Sequence, residues 1–221
     1  LVSIQKQASI EAINSNQQKI LRPLDNQTGD YVILFYDLEM TRQHLQTTIM
    51  SAGFVSYDGK KEFYAEFTDY DQSQIDQWLQ ENVVDRFILT GMSNRTYKTT
   101  EKTNFFKGNV DWVLSHSQGL KNWFCSFEEK IVLAGAGTGY DWVLLRSIMK
   151  IKYMEDIPSY LDNWPIDVIS IFRWEGYDPQ EEYFKENFIG STDRSNKHNA
   201  LEDARIIREV YLKLKADHPN S

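Results

Sequence analysis

Four carboxylates and one histidine are the residues of this chain whose types and spacing suit chemistry. Asp37 and Glu39 stand two apart, Asp141 lies in Tyr140-Asp141-Trp142, and His198 and Asp203 close the run His198-Asn199-Ala200-Leu201-Glu202-Asp203-Ala204. Carboxylate oxygens are the donors that hard divalent cations require. An imidazole, titrating near neutrality, is suited to take a proton from water. Each piece alone has an ordinary reading: a solvated acid pair at a strand end, an acid favourable to a helix dipole, a surface or capping histidine. Together, in this order, they point to a site that gathers divalent metal beside a base.

The elements that must position these residues are legible in the pattern. Tyr31–Tyr36 is a near-continuous apolar run of strand length, as expected of a central strand covered on both faces. Asp37 and Glu39 follow it, and side chains two apart on a strand share a face. Segments 47–57 and 60–67 flank Asp58-Gly59, a strong hairpin signal. Residues 73–82 read as a short helix with Ile75, Trp78 and Leu79 on one face, and 86–89 as a short strand. Residues 90–109 read as a polar loop and 110–127 as one helix with an aromatic, apolar face, a core element or a dimer surface. Ile131–Ala134 reads as a second buried strand. The glycines of 135–139 then turn into a helix over 140–149 that opens with Asp141. They lack the Lys-Ser/Thr of a phosphate loop and the full dinucleotide fingerprint. Residues 166–172 are predicted as a strand and 179–187 as helical. After a polar loop, 199–215 forms an amphipathic helix with Leu201, Ala204, Ile207, Val210, Tyr211 and Leu214 inward.

The bulk properties set limits. At 221 residues and 41% hydrophobic, the chain suits one α/β domain with a mixed sheet. We divide it into a polar arm or peripheral helix over 1–30, the catalytic domain over 31–216 and a tail over 217–221. No apolar stretch is long enough for a bilayer, and residues 1–18 lack the pattern of a signal peptide. The start at Leu1 is expected of a processed, trimmed or excised piece. The single Cys125 forms no intrachain disulfide and fits a reducing, cytoplasmic setting; beside Phe124 and Phe127 it reads as a buried, inert thiol. The net charge of −8 tells against broad nonspecific duplex binding but little against a grip on a few nucleotides through metal ions.

Asp37-x-Glu39, Asp141 and His198-x-x-x-x-Asp203 resemble the three exonuclease motifs of the DnaQ-like 3′–5′ exonucleases. Histidine in the last motif resembles the DEDDh subgroup, whose fold is ribonuclease H-like: a mixed β-sheet flanked by helices. The resemblance runs from about residue 31 to 215. Residues 134–145 and 198–205 look most like the small stand-alone bacterial exoribonucleases. It departs from that pattern at Thr138-Gly139-Tyr140, where many relatives carry an Asn and a Phe before the Asp, and at Met40-Thr41 after the first motif. The resemblance implies two divalent ions, Mg²⁺ or Mn²⁺. Asp37 would bridge them, Glu39 and Asp203 would complete one site, Asp141 would support the other, and His198 would be the general base. It implies release of nucleoside 5′-monophosphates from the 3′ end of a single strand, RNA favoured over DNA. The rivals are a DNA-directed or proofreading-type exonuclease, and a silent nucleic-acid-binding scaffold of the same fold.

Further residues are candidates for substrate contact. Met40 follows the first motif and is placed to pack against a terminal nucleotide. Tyr140 and Trp142 flank Asp141, where they would stack on a terminal base, although Trp142 reads equally as core. Lys197 and Arg194 precede His198, where they would meet phosphate or simply form a polar loop. Arg95, Tyr97, Lys98, Lys102, Phe105, Phe106 and Lys107 mix basic and aromatic residues. They read either as a strand-guiding loop or as a solvated one.

Overall fold

The computed structural model describes residues 31–192 and 197–218; the predicted N-terminal arm, Arg194 and the last residues of the tail lie outside them. Its centre is a seven-stranded sheet in the order β4-β5-β3-β2-β1-β6-β7. The strands are β1 (Tyr31–Met40), β2 (Ile49–Ser56), β3 (Glu62–Phe67), β4 (Thr96–Thr99), β5 (Thr103–Gly108), β6 (Lys130–Gly135) and β7 (Ile166–Asp167). The helices are α1 (Gln77–Asn82), α2 (Val110–Ser115), α3 (Leu120–Phe124), α4 (Thr138–Ile148), α5 (Val168–Trp174), α6 (Phe184–Ile189) and α7 (Ala200–Asp217). β1 pairs antiparallel with β2 and parallel with β6, so the sheet is mixed.

Alternation along β1 builds three layers. Leu34, Tyr36, Leu38 and Met40 point to one face and pack with Val113, Leu120, Trp123, Phe124, Leu144 and Leu145 from α2, α3 and α4. Ile33 and Phe35 point to the other face, against Val168 and Phe172 of α5 and Ile207, Val210 and Tyr211 of α7. All six residues predicted to face inward on the last helix are buried. The Asp58-Gly59 turn does join β2 to β3, with Gly59 at φ 72°, a left-handed conformation that glycine adopts freely.

Several expectations need correction. Residues 90–109 hold the β4–β5 hairpin instead of a loop. Phe106 is fully buried in the core, the Lys98 ammonium lies 4.8 Å from the centre of the Phe105 ring, and Lys107 Nζ donates to the Leu89 carbonyl at 3.1 Å. Lys102 Nζ reaches Glu62 Oε1 at 2.6 Å. The mixture of cations and rings is thus largely absorbed by packing. Residues 110–127 form two helices, because Gly119 comes so close to Val113 that a Cβ would lie 2.1 Å from its carbonyl oxygen. Both halves turn their apolar residues into the core. Cys125 caps the second half and is exposed; Trp123 and Phe124 take the inward positions, and the next residue rotates out. Residues 84–86 form a 3₁₀ turn, not the start of a strand. The predicted strand at 166–172 lasts two residues before Asp167 caps α5, its carboxylate accepting from Ile169 N at 3.2 Å. Val168 and Phe172 then face the core at helical spacing.

Candidate metal centre

β1 outlasts its neighbour. Its pairing with β6 ends at Phe35↔Ala134, whereas pairing with β2 continues to Met40, past a register shift after Glu39. Asp37 and Glu39 continue the face that Ile33 and Phe35 begin, so the strand leaves the apolar core and enters a cavity on the same side. β6 ends at Gly135, the chain turns through Gly137 at φ 75°, and α4 begins. Its first turn carries Asp141, 8% exposed, whose carboxylate accepts a hydrogen bond from the Leu38 backbone N–H. Asp167 Oδ1 accepts from Gly137 N at 2.9 Å and pins this turn.

The other wall is the start of α7. Asn199 caps it, its Oδ1 accepting from Leu201 N at 3.2 Å and Glu202 N at 3.3 Å, while its Nδ2 donates to the Arg86 carbonyl at 3.0 Å. Asp203 is 5% exposed, and its Oδ2 accepts from His198 N at 2.9 Å. His198 holds φ at 64°, unusual for a residue with a side chain. Gly53, paired with Asp37, lets this helix sit against β2: a Cβ there would lie 2.3 Å from the Ala200 carbonyl oxygen.

These elements enclose a cavity of about 510 Å³ that Asp37, Glu39, Asp141, His198 and Asp203 all line. Met40 and Lys197 line it too. Tyr140 and Trp142 are absent from its wall: with Asp141 pointing in, their side chains leave the helix about 100° to either side. Tyr140 is 44% exposed, and Trp142 packs on the core, its ring centre 5.9 Å from the Arg146 guanidinium. Among the lining residues that the sequence did not assign to the site, Lys185 and Trp78 touch its proposed ligands. Lys185 of α6 places Nζ 3.9 Å from Asp203 Oδ1. Trp78 of α1, expected inside, is 53% exposed and meets the His198 ring edge-on at 5.2 Å between centres. An isolated glycine in an apolar strand was a usable signal for Gly53; nothing near Lys185 in the sequence distinguished it.

Crowding the carboxylates raises their proton affinity. Burial, then the charges of Asp203 and Asp141, pushes Glu39 from 4.5 up to about 8, against the opposing pull of Lys185. Burial pushes Asp141 from 3.8 up to about 7. Asp37 is raised well above the usual range by burial and the charges of Asp203, Glu39 and Asp141, and Asp203 is raised by burial. Burial, with nearby Lys197, Lys185 and Arg86, lowers His198, so its imidazole is neutral at pH 7. Donor atoms of Glu39, His198 and Asp203 lie within 4.8 Å of one another. That spread suits ligands around one divalent ion, whose bonds run about 2.0 to 2.6 Å. The donor set therefore fits a metal.

Neither a family model nor a curated protein matches the sequence. Solved structures do match the fold. The nuclease domain of 3'hExo, a DEDDh family member bound to rAMP, superposes with a TM-score of 0.56 at 14% identity, covering 84% of this chain and 92% of that one. A 3′-exonuclease in a structure of 3′-end-specific recognition of the histone mRNA stem-loop gives a TM-score of 0.56 at 12% identity, covering 98% and 74%. The fold is that of the DEDDh, ribonuclease H-like 3′–5′ exonuclease domains, an α/β fold with a mixed sheet between helices.

Proposed function

We propose that this chain is a metal-dependent 3′–5′ exonuclease that hydrolyses single-stranded nucleic acid, RNA favoured, to nucleoside 5′-monophosphates. The observation that carries the reading is the convergence of Asp37, Glu39, Asp141, His198 and Asp203, from β1, α4 and the start of α7, on one cavity. Glu39 and Asp203, with Asp37 and Asp141, would hold Mg²⁺ or Mn²⁺. Divalent ions there supply charge neutralisation for the phosphate and a more acidic water.

The chain's own residues do the rest. His198, neutral at pH 7, takes the proton of the attacking water on an imidazole nitrogen. Water oxygen bonds to phosphorus as the bond to the 3′-oxygen of the preceding nucleotide breaks, and that oxygen takes a proton from solvent, leaving a new 3′-hydroxyl and a 5′-monophosphate. Asp203 accepts from the His198 backbone and so fixes the base beside the carboxylates. Met40, Leu79, Val83 and Trp78 give the cavity an apolar side for a terminal base, and Arg42 and Lys197 line it as cations for phosphate. The volume suits one nucleotide, consistent with attack at an end. The RNA preference draws support from the rAMP and histone mRNA ligands named for the two similar structures.

The test is end-labelled single-stranded RNA and DNA with Mn²⁺. Expected are 5′-monophosphates released one at a time, faster from RNA, blocked by a 3′-phosphate and lost in folded Asp37→Ala and Asp141→Ala. Cleavage of a circular strand, or full activity in either variant, would overturn the reading.

A further inference from the structure

A second cavity, of about 460 Å³, lies across α1 from the metal centre. Leu79 and Val83 line the metal centre, and their neighbours Gln80 and Val84 line this one. The sheet relates the two. Glu39, Ser51, Glu66 and Lys107 stand in one row of register partners across β1, β2, β3 and β5. Partners in register share a face, so Glu66 stands on the face of Glu39, two strand spacings or about 10 Å away.

Glu66 is 1% exposed, yet half of its carboxylate is unused. Oε1 accepts from Tyr64 Oη at 3.1 Å and from Leu89 N at 2.7 Å, whereas Oε2 has no hydrogen-bond partner among the described residues. Its register partner does not supply one: Lys107 Nζ donates to the Leu89 carbonyl at 3.1 Å. Burying a carboxylate oxygen without a donor is costly, and burial accordingly raises the proton affinity of Glu66. Glu66 and Lys107 both line the cavity, and so do the half-buried rings of Tyr70 and Phe87, 6.5 Å between centres and steeply inclined at 78°.

These groups describe their ligand. Lys107 disfavours a cation and Glu66 an anion, while two rings favour a flat, neutral partner. Oε2 can accept two hydrogen bonds, and an ammonium that has used one donor keeps two more. Among nucleobases, guanine alone carries two adjacent N–H donors followed by an oxygen acceptor on one edge. Adenine and cytosine place a ring acceptor beside their amino group, and the single donor of uracil is flanked by two oxygens. We propose that this cavity binds a guanine base, N1–H and the 2-amino group donating to Glu66, O6 accepting from Lys107, and the ring lying against Tyr70 and Phe87. Unstacked bases are commonly held in this way, by an aromatic face and by their Watson–Crick edge. The base belongs either to a free nucleotide or to a single strand whose 3′ end reaches the metal centre; the recognising chemistry is the same.

Binding is measured by calorimetry on the chain in chelator, where no metal is needed and strands stay intact. Guanosine 5′-monophosphate should bind at least about tenfold tighter than the adenosine, cytidine or uridine monophosphate, the worth of one hydrogen bond to a charged group. Inosine 5′-monophosphate, which lacks only the 2-amino group, should bind at least about fivefold weaker than its guanosine counterpart. Glu66→Gln should abolish the preference for guanine, and Lys107→Met should weaken it. Oligouridine strands with a single guanine stepped inward from the 3′ end separate the two sources. Tighter binding at one position assigns the base to the strand; no such position, with the free nucleotide still bound, assigns it to the nucleotide. A wild type that binds guanosine and adenosine monophosphates equally, or does not distinguish guanosine from inosine, overturns the proposal without requiring any variant to fold. A preference intact in folded Glu66→Gln overturns it too. Neither failure touches the nuclease reading, which is tested by hydrolysis with metal.

Discussion

Replacing Glu39 with glutamine should make the metal-free protein more stable, and increasingly so as the pH rises. Glu39 is held at about 8 in the folded chain by burial and by the Asp203 and Asp141 charges, against an ordinary 4.5. Between these values the folded state keeps a proton that the unfolded state has released. Stability is therefore full below pH 4.5 and is lost as the pH climbs to about 8, where the loss levels off. At 1.36 kcal/mol per unit, the window corresponds to about 5 kcal/mol. Solvent at the cavity mouth screens part of this, so the realised difference should be about 2 to 4 kcal/mol at pH 8.5 and about 1 kcal/mol at pH 5.5. Glutamine keeps the shape and removes the charge. In chelator at pH 8.5, Glu39→Gln should melt roughly 5 to 15 °C above wild type. Mn²⁺ should then narrow or invert the order: saturation a hundredfold above Kd stabilises wild type by about 2.7 kcal/mol, and the variant lacks a ligand. The assay is thermal melting across pH, with chelator and with metal. A variant that melts at or below wild type in chelator at pH 8.5, or a difference that does not widen with pH, would refute the idea that these carboxylates crowd one another.

His198→Ala should lower the hydrolysis rate by roughly a hundredfold or more while calorimetry still records Mn²⁺ binding; loss of that binding would make the histidine a ligand and not a base. Because burial and neighbouring cations lower His198 from 6.5, the base-dependent rise in wild-type rate should be centred below pH 6.5, and a limb centred above that would refute the assignment. Gly53→Ala should cost about 2 kcal/mol or more, since its Cβ would stand 2.3 Å from the Ala200 carbonyl oxygen. The displaced start of α7 should also weaken Mn²⁺ binding; wild-type melting and affinity would show that helix and strand are not in close contact. Arg205→Ala should cost about 3 kcal/mol by urea denaturation. It leaves Glu62, fully buried and hydrogen-bonded by Arg205 Nε at 2.9 Å and Nη2 at 2.6 Å, with only Lys102 and Thr103. Mn²⁺ affinity should survive that change.

What the sequence revealed follows from where its signals are local. β1, β6, the Asp58-Gly59 hairpin and α7 announce themselves through apolar periodicity and turn chemistry, and they carry the carboxylates and the histidine. The β4–β5 hairpin escaped because Thr96–Thr99 and Lys107 are polar residues whose strand state is imposed by pairing with neighbours, Glu62–Phe67 among them. The single helix expected at 110–127 broke at Gly119, where the chain folds back so closely that a Cβ would lie 2.1 Å from the Val113 carbonyl oxygen, a contact that apolar periodicity does not reveal. Residues 166–172 are apolar enough for strand or helix, and the Asp167 cap decided for helix. Tyr140 and Trp142 lie outside the cavity wall because flanking a ligand in sequence means pointing away from it on a helix. Trp78 and Lys185 were invisible for the converse reason: they reach the cavity from helices with no motif of their own.

The same contrast explains how so poor a local arrangement persists. Carboxylates with raised proton affinity and a histidine at positive φ oppose folding where they stand, and a partly buried lysine sits beside them. Each is held by an element whose stability is settled elsewhere: β1 by apolar residues on both faces, α7 by five buried side chains beyond its first turn, α6 by two phenylalanines on Phe172. The acids occupy the end of β1 that β6 no longer covers. Covering them would need apolar partners that carboxylates cannot accept; leaving them in bulk water would remove the crowding that makes them compete for a divalent ion. The end of a central strand, roofed on one side by a helix N-terminus that reaches it through Gly53, meets both conditions.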